Sequence, residues 1–255
     1  KQTKEESSAY AQSFDLEDKD YMWPDAATGI RRSSGIGSGY TLASFFGKVD
    51  YNWQDLLLAS FTIRRDGSSR FGKNNRYGSF PAATLGYRLS KNLKANWLDD
   101  LKIRASWGKT GNQEIANNAR YGLYVADYGQ DRVTSTAYDL YRQGTGVFPS
   151  GFRATQTANE NLKWETTIQY NVGVDFSMFN QALYGTVDGY IKDVKDMLIS
   201  PAFLGAMGEG GNMWSNGPSL RNIGMEASVG YRHTTSYGLR YDVNANVDFF
   251  RNHVT

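Results

Sequence analysis

Cysteine is absent from this 255-residue chain, histidine occurs twice and proline five times. Without cysteine there is neither a disulfide framework nor a thiolate metal site. The two histidines, His233 and His253, lie in or beside one hairpin near the end, so a hydrolytic triad has little to draw on. Neither G-x-S-x-G nor H-E-x-x-H occurs. Adjacent carboxylates such as Asp99 and Asp100 point to opposite faces of a strand and read as a solvated turn, not a glycosidase acid and base. The chain is read as non-enzymatic, with no cofactor. A formal charge of +2 leaves no footprint for nucleic acid. No stretch approaches the roughly eighteen consecutive apolar residues of a membrane helix. The opening KQTKEESSAYAQSF lacks the basic and apolar regions of a signal peptide.

Tyrosine and glycine are plentiful, at 17 and 27 residues, which suits many strands joined by tight turns. A negative mean hydropathy is compatible with a membrane β-barrel, because only alternate residues of each strand face lipid.

The stretch 56–113 organises the rest. Segments Leu57–Ile63, Pro81–Leu89 and Leu101–Trp107 carry their apolar residues at odd positions, on one side of a strand. The connection RRDGSSRFGKNNRYG between the first two is polar and contains an Asp66-Gly67 turn signal. Upstream, Ala43, Phe45, Val49, Tyr51 and Trp53 share a face. Trp164 to Phe176 is the longest alternation, with Trp164, Ile168, Tyr170, Val172, Val174 and Phe176 on one parity. Thirteen residues at about 3.3 Å each, tilted near 40°, rise roughly 30 Å, the height of a bilayer core. The apolar parity is expected to meet lipid, with its aromatics forming interface girdles. Strands are also expected at Tyr121–Tyr128, Val133–Arg142, around Leu183–Ile191, Met225–Tyr231 and Leu239–Phe249. Tight turns are expected near Asn52–Asp55, Phe179–Gln181 and Thr234–Gly238. Residues 1–38, 144–161 and 200–221 read as loops, and the GIGSG of the first lacks the strand-then-helix context of a phosphate cradle.

Three ordered motifs carry a family resemblance: RRDGSSRFG, then FPAATLGYRLS, then LKIRASWGKTGN. NENLKWETTIQYNVGVDF, LYGTVDGYIKDVKDMLI and RNIGMEASV follow in order. Over roughly residues 40–252 the chain resembles the SusC/RagA-like branch of TonB-dependent outer-membrane transporters. The resemblance implies an all-β chain: about 9–10 strands of an antiparallel transmembrane β-barrel of about 22 strands. Residues 1–38 would form an extracellular loop region and 39–255 strands and loops, with the plug domain and closing strands absent. It implies active import of oligosaccharides or peptides across the bacterial outer membrane. The partners would be a SusD-like surface lipoprotein, membrane lipid, and TonB reached through a missing N-terminal segment. Rival readings are a passive porin and a soluble carbohydrate-binding β-protein.

Charged residues from Lys48 and Asp50 through Arg104, Asp175 and Asp188 to Asp248 fall on the other side of the strands. In a lipid barrel that side must be the lumen, since Arg or Lys at the bilayer midplane costs about 2–4 kcal/mol. Arg64, Arg65, Asp66 and Arg70 are expected to form an ion-pair network that rigidifies a loop base, with direct ligand contact as the alternative. Tyr21, Trp23, Tyr138, Tyr141 and Trp214 are candidate substrate-stacking rings, or else pack under their own loops. Substrate contacts are expected from loops 1–38, 129–161 and 201–221. Asp15, Glu17, Asp18 and Asp20 offer carboxylates of the kind calcium takes, without the ligand spacing of a known loop, so no metal is assigned.

Overall fold

A computed structural model describes residues 2–15, 20, 22–93, 95–126, 152–201 and 211–255, with the backbone alone at 125, 126, 152 and 153. It divides into two units, Lys1–Leu42 and Ala43–Thr255.

The first unit is a ribbon. β1 (Gln2–Ala11) pairs antiparallel with β2 (Arg31–Tyr40), in unbroken register from Gln2 opposite Tyr40 to Ala11 opposite Arg31. The irregular loop expected over 1–38 is therefore corrected. GIGSG lies within β2, where Gly35, Gly37 and Gly39 face Ser7, Glu5 and Thr3. Nothing in this pattern alternates between apolar and polar, so the periodicity that marks a half-buried strand is missing.

In the second unit eight strands form one antiparallel sheet. They are β3 (Leu42–Trp53), β4 (Leu57–Ser68), β5 (Tyr77–Arg88), β6 (Leu98–Asn112), β9 (Glu165–Met178), β10 (Leu183–Lys195), β13 (Leu220–Thr234) and β14 (Arg240–Val254). Their spatial order is β14-β13-β10-β9-β6-β5-β4-β3. Two small ribbons lie within the longer connections: β7 (Leu123–Ala126) with β8 (Phe152–Gln156), and β11 (Leu198–Ile199) with β12 (Ser215–Asn216). β8 and β12 thus occupy stretches expected as loop. The strand expected at Val133–Arg142 lies outside the described residues.

Registry aligns the alternations into continuous rows. One row runs Leu57, Tyr87, Ile103, Val174, Val187, Ala227, Val247, and the next Ala59, Leu85, Ala105, Val172, Gly189, Met225, Phe249. Many of these side chains are exposed, Val172 at 59% and Phe249 at 71%. An apolar face this wide does not stay open to water in a soluble protein. The opposite face carries Lys102, Asp175, Thr186, Ser228 and Asn246 in one row.

At one end the strands join through short turns. Gln54 and Asp55 both take positive φ, 52° and 53°, and the Leu56 N–H reaches the Trp53 carbonyl at 2.9 Å. This is the two-residue turn whose twist matches a hairpin. Asn52 donates to Asp55 at 2.7 Å, and that bond holds the Asp55 carboxyl below its usual range. Phe179, Asn180 and Gln181 turn β9 into β10, all at positive φ. The opposite end holds the long connections.

Candidate functional site

The buried core lies at the long-loop end. Phe71, Phe80, Ile115, Ala119, Leu162 and Trp164 form one cluster, with Leu198 and Trp214 packed against it. Phe71 and Leu162 are fully buried, each worth roughly 1.5–3 kcal/mol. The Trp164 indole lies 5.0 Å from the Phe71 ring and 5.4 Å from Phe80. Its Nε1–H donates to the Arg76 carbonyl at 3.1 Å, which also accepts the Ser68 N–H at 3.0 Å.

This placement corrects the expectation that Trp164 continues the lipid-facing stripe. β9 begins at Glu165, one residue later. Before it, Lys163 is held off the sheet by Asn216, which accepts its N–H at 3.0 Å and donates to its carbonyl at 2.8 Å. Outside the pleat, parity no longer decides where a side chain points, and the indole turns into the cluster.

The motif RRDGSSRFG supplies one wall. Arg64 pairs with Asp66 at 2.7 Å. Arg65 does not join them; its guanidinium lies over the Tyr77 ring, 5.4 Å from the centroid. Arg70, 7% exposed, reaches the next loop, donating to Asn117 Oδ1 at 2.8 Å and the Gln113 carbonyl at 2.9 Å, with Glu114 at 3.4 Å. A Cβ on Gly72 would overlap the Glu160 carbonyl, so the backbones meet there because the side chain is absent. Asn75 donates to the Asn161 carbonyl at 2.9 Å. The loops after β4, after β6 and before β9 are thereby tied into one knot.

The sequence reading missed Phe71, Ile115, Ala119, Leu162 and Asn117 as members of this site. Their signal was present in the stretches SRFG, GNQEIANNA and NENLKW, which carry specific residues where a solvated loop needs only turn formers.

On the polar face an ion chain crosses three strands. Asp175 of β9 meets Lys102 at 2.7 Å and Arg104 at 3.0 Å, both on β6, and Arg104 continues to Asp188 of β10 at 2.6 Å. That last bond passes over Gly173, where an added Cβ would lie within 2.8 Å of Arg104 Cζ and overlap the Asp188 carboxylate. Nearer the short turns, the Tyr184 hydroxyl donates to Asp242 at 2.6 Å, and Asp242 also pairs with Arg232 at 2.9 Å. These half-buried, paired charges make a polar wall.

Of the five candidate rings, Trp214 packs on the knot and its carbonyl accepts from Asn159 at 2.8 Å. Trp23 is 68% exposed, its indole N–H on the Asp20 carbonyl at 3.0 Å. Tyr21, Tyr138 and Tyr141, like Glu17 and Asp18 of the acidic run, lie outside the described residues.

Comparison with known proteins agrees with this geometry. Residues 4–255 match the family described as TonB dependent receptor-like, beta-barrel. The chain is 36% identical over 232 residues to the TonB-dependent receptor SusC of Bacteroides thetaiotaomicron, covering 89% of this chain and 22% of that protein. It is 32% identical over 216 residues to the TonB-dependent receptor P39 of Formosa agariphila, covering 80% of this chain and 19% of that one. It superposes on the RagAB peptide transporter with a TM-score of 0.77 at 25% identity, covering 99% of this chain and 27% of that one. It thus spans about a fifth to a quarter of the length of these relatives. Long strands with one apolar and one polar face, closed at one end by short turns and at the other by a loop knot, are a section of such a barrel: the chain belongs to the TonB-dependent receptor β-barrel family, in its SusC/RagA-like branch.

Proposed function

We propose that this barrel section belongs to an active importer of large polar nutrients, oligosaccharides or peptides, in the bacterial outer membrane. The observation that carries the reading is the separation of the sheet into two faces over strands of 12 to 15 residues. The apolar rows face lipid. The ion chain through Lys102, Asp175, Arg104 and Asp188 lines the lumen, against the plug of the full-length protein or against water. Long loops lie outside the cell and short turns in the periplasm. A SusD-like lipoprotein works at the long-loop mouth, and TonB engages a segment beyond this stretch. RagAB is a peptide transporter, which supports a peptide among the cargoes proposed here.

In this reading the loops, not the strands, meet the cargo. Trp23 offers an exposed ring suited to sugar rings or peptide side chains, Trp214 packs on the knot, and Tyr21, Tyr138 and Tyr141, outside the described residues, are candidates by sequence for the same stacking role. Arg64, Asp66 and Arg70 hold the loop base instead of binding cargo, and Arg65 stands apart over Tyr77. The test is uptake of labelled oligosaccharides and peptides by cells carrying the full-length receptor, with and without TonB. Uptake that stops without TonB supports the reading, and uptake that continues identifies a passive porin.

A further inference from the structure

The apolar face is not uniform from end to end. Toward the long loops the row Trp107, Tyr170, Ile191, Ile223, Arg251 is followed by the row Lys109, Ile168, Asp193, Arg221, His253. One row further, Lys195 stands opposite Thr166. On β4, Arg65 has the same parity as Phe61 and Ile63 and continues their line. Asp193, the one carboxylate in these rows, is closed by both ends of the Arg221 guanidinium, at 2.6 and 2.9 Å. Arg65, Lys109 and Arg251 form no ion pair with a carboxylate among the described residues, and Lys195 has near it only Asp193, whose carboxylate is already taken by Arg221. At the short-turn margin the rows through Val174, Phe176 and Met178 hold no Lys or Arg.

We propose that these cations form a belt on the lipid-facing side that binds the phosphate-bearing lipid headgroups of the leaflet at the long-loop end. The proposal rests on the sheet spanning a membrane. A cation on the outside of a barrel is costly at the bilayer midplane and nearly free at the interface, so Lys109, Lys195 and Arg251 belong at headgroup level. Trp107 and Tyr170, in the row that also carries Arg251, suit the boundary between headgroups and hydrocarbon, from which the long Arg251 side chain reaches up to the phosphates. Neighbouring cations stand two strands apart, about 10 Å across the sheet, and are staggered over three rows. They do not converge on one point, so they match a surface of many phosphates better than a single free anion. The strand rows at the other margin lack them among the described residues, so the preference favours one leaflet.

The test uses the full-length receptor reconstituted in phosphatidylcholine vesicles, with or without a minor fraction of phosphatidylglycerol. Lipid retained on the protein is read by native mass spectrometry, and folding by heat-dependent gel mobility. The expected result is roughly tenfold enrichment of phosphatidylglycerol on the protein, abolished by high salt. The triple variant Lys109→Gln, Lys195→Gln, Arg251→Gln should lose most of that enrichment, while Lys48→Gln on the polar face should keep it. No enrichment in the wild type, or equal enrichment in the triple variant, overturns the proposal. So does inorganic phosphate on neutral vesicles shifting the unfolding temperature as much as phosphatidylglycerol does. If the triple variant fails to insert, the wild-type salt titration and Lys195→Gln alone decide. A wild type that never inserts overturns the membrane-barrel reading instead.

Discussion

The β1–β2 ribbon and the loop knot are opposite solutions to holding chain in place. The ribbon has ten consecutive register pairs and almost no burial, with every residue exposed except at its Ala11 and Tyr40 ends. The knot has little regular pairing but buries Phe71, Ala119 and Leu162 completely. Net backbone hydrogen-bond stabilisation is small once water is counted, and a lone two-stranded ribbon is marginal in water. Burial of apolar area offsets ordering entropy more effectively. The knot should therefore be the more persistent of the two.

The comparison breaks most sharply at Trp164. Trp164→Ala removes the ring between Phe71 and Phe80 and should cost about 3–5 kcal/mol locally. Residues 69–76 and 113–122 would then exchange amide hydrogens as fast as the ribbon does. Unchanged protection there would show that the knot is not held by its core.

Arg70→Ala should cost about 1.5–3 kcal/mol, because it removes the charged hydrogen bonds to Asn117 and to the Gln113 carbonyl inside the knot. Arg70→Lys should restore only part of this, since an ammonium cannot span both acceptors in one plane. Limited proteolysis of the 113–122 loop measures the difference, and equal rates in both variants would exclude a guanidinium-specific tie.

Between the two extremes lies the polar face, where paired strands hold half-buried charges. Gly173→Leu pushes a side chain between Arg104 and Asp188 and should lower the temperature of heat-dependent gel mobility, at a cost of about 1–3 kcal/mol. Gly189→Ala, where an added Cβ meets nothing within 4 Å, should leave it unchanged. Similar losses in both would mean that strand glycines matter here for backbone reasons alone.

The smallest effect belongs to the ribbon. Ser8 and Ser34 place their hydroxyls 2.7 Å apart in full solvent exposure, so Ser34→Ala should change stability by less than about 0.5 kcal/mol. A larger loss would show that the ribbon depends on its side chains after all.

Residues far apart in the chain were not equally legible. Phe61, Leu85, Ile103, Val172 and Val187 declared their shared face through alternation, and Gln54–Asp55, Phe179–Gln181 and Thr235–Gly238 declared their turns, because both signals are local. RRDGSSRFG was recognisable as a motif, but the separate destinations of Arg65 and Arg70 were not. Those depend on Tyr77 and on Asn117, 47 residues away from Arg70.

By itself, then, the sequence determined an all-β chain, the strand parities and the family, since period-two patterning acts over a few residues at a time. Only the tertiary structure decided that Trp164 leaves its stripe, because its hydrogen bond to Arg76 bridges 88 residues. The same holds for the ribbon at 2–40, whose pairing has no apolar signature, and for Gly173, whose missing side chain matters only because Arg104 and Asp188 meet above it. A local pattern chooses the face on which a side chain stands, and contacts between distant segments choose what it touches there.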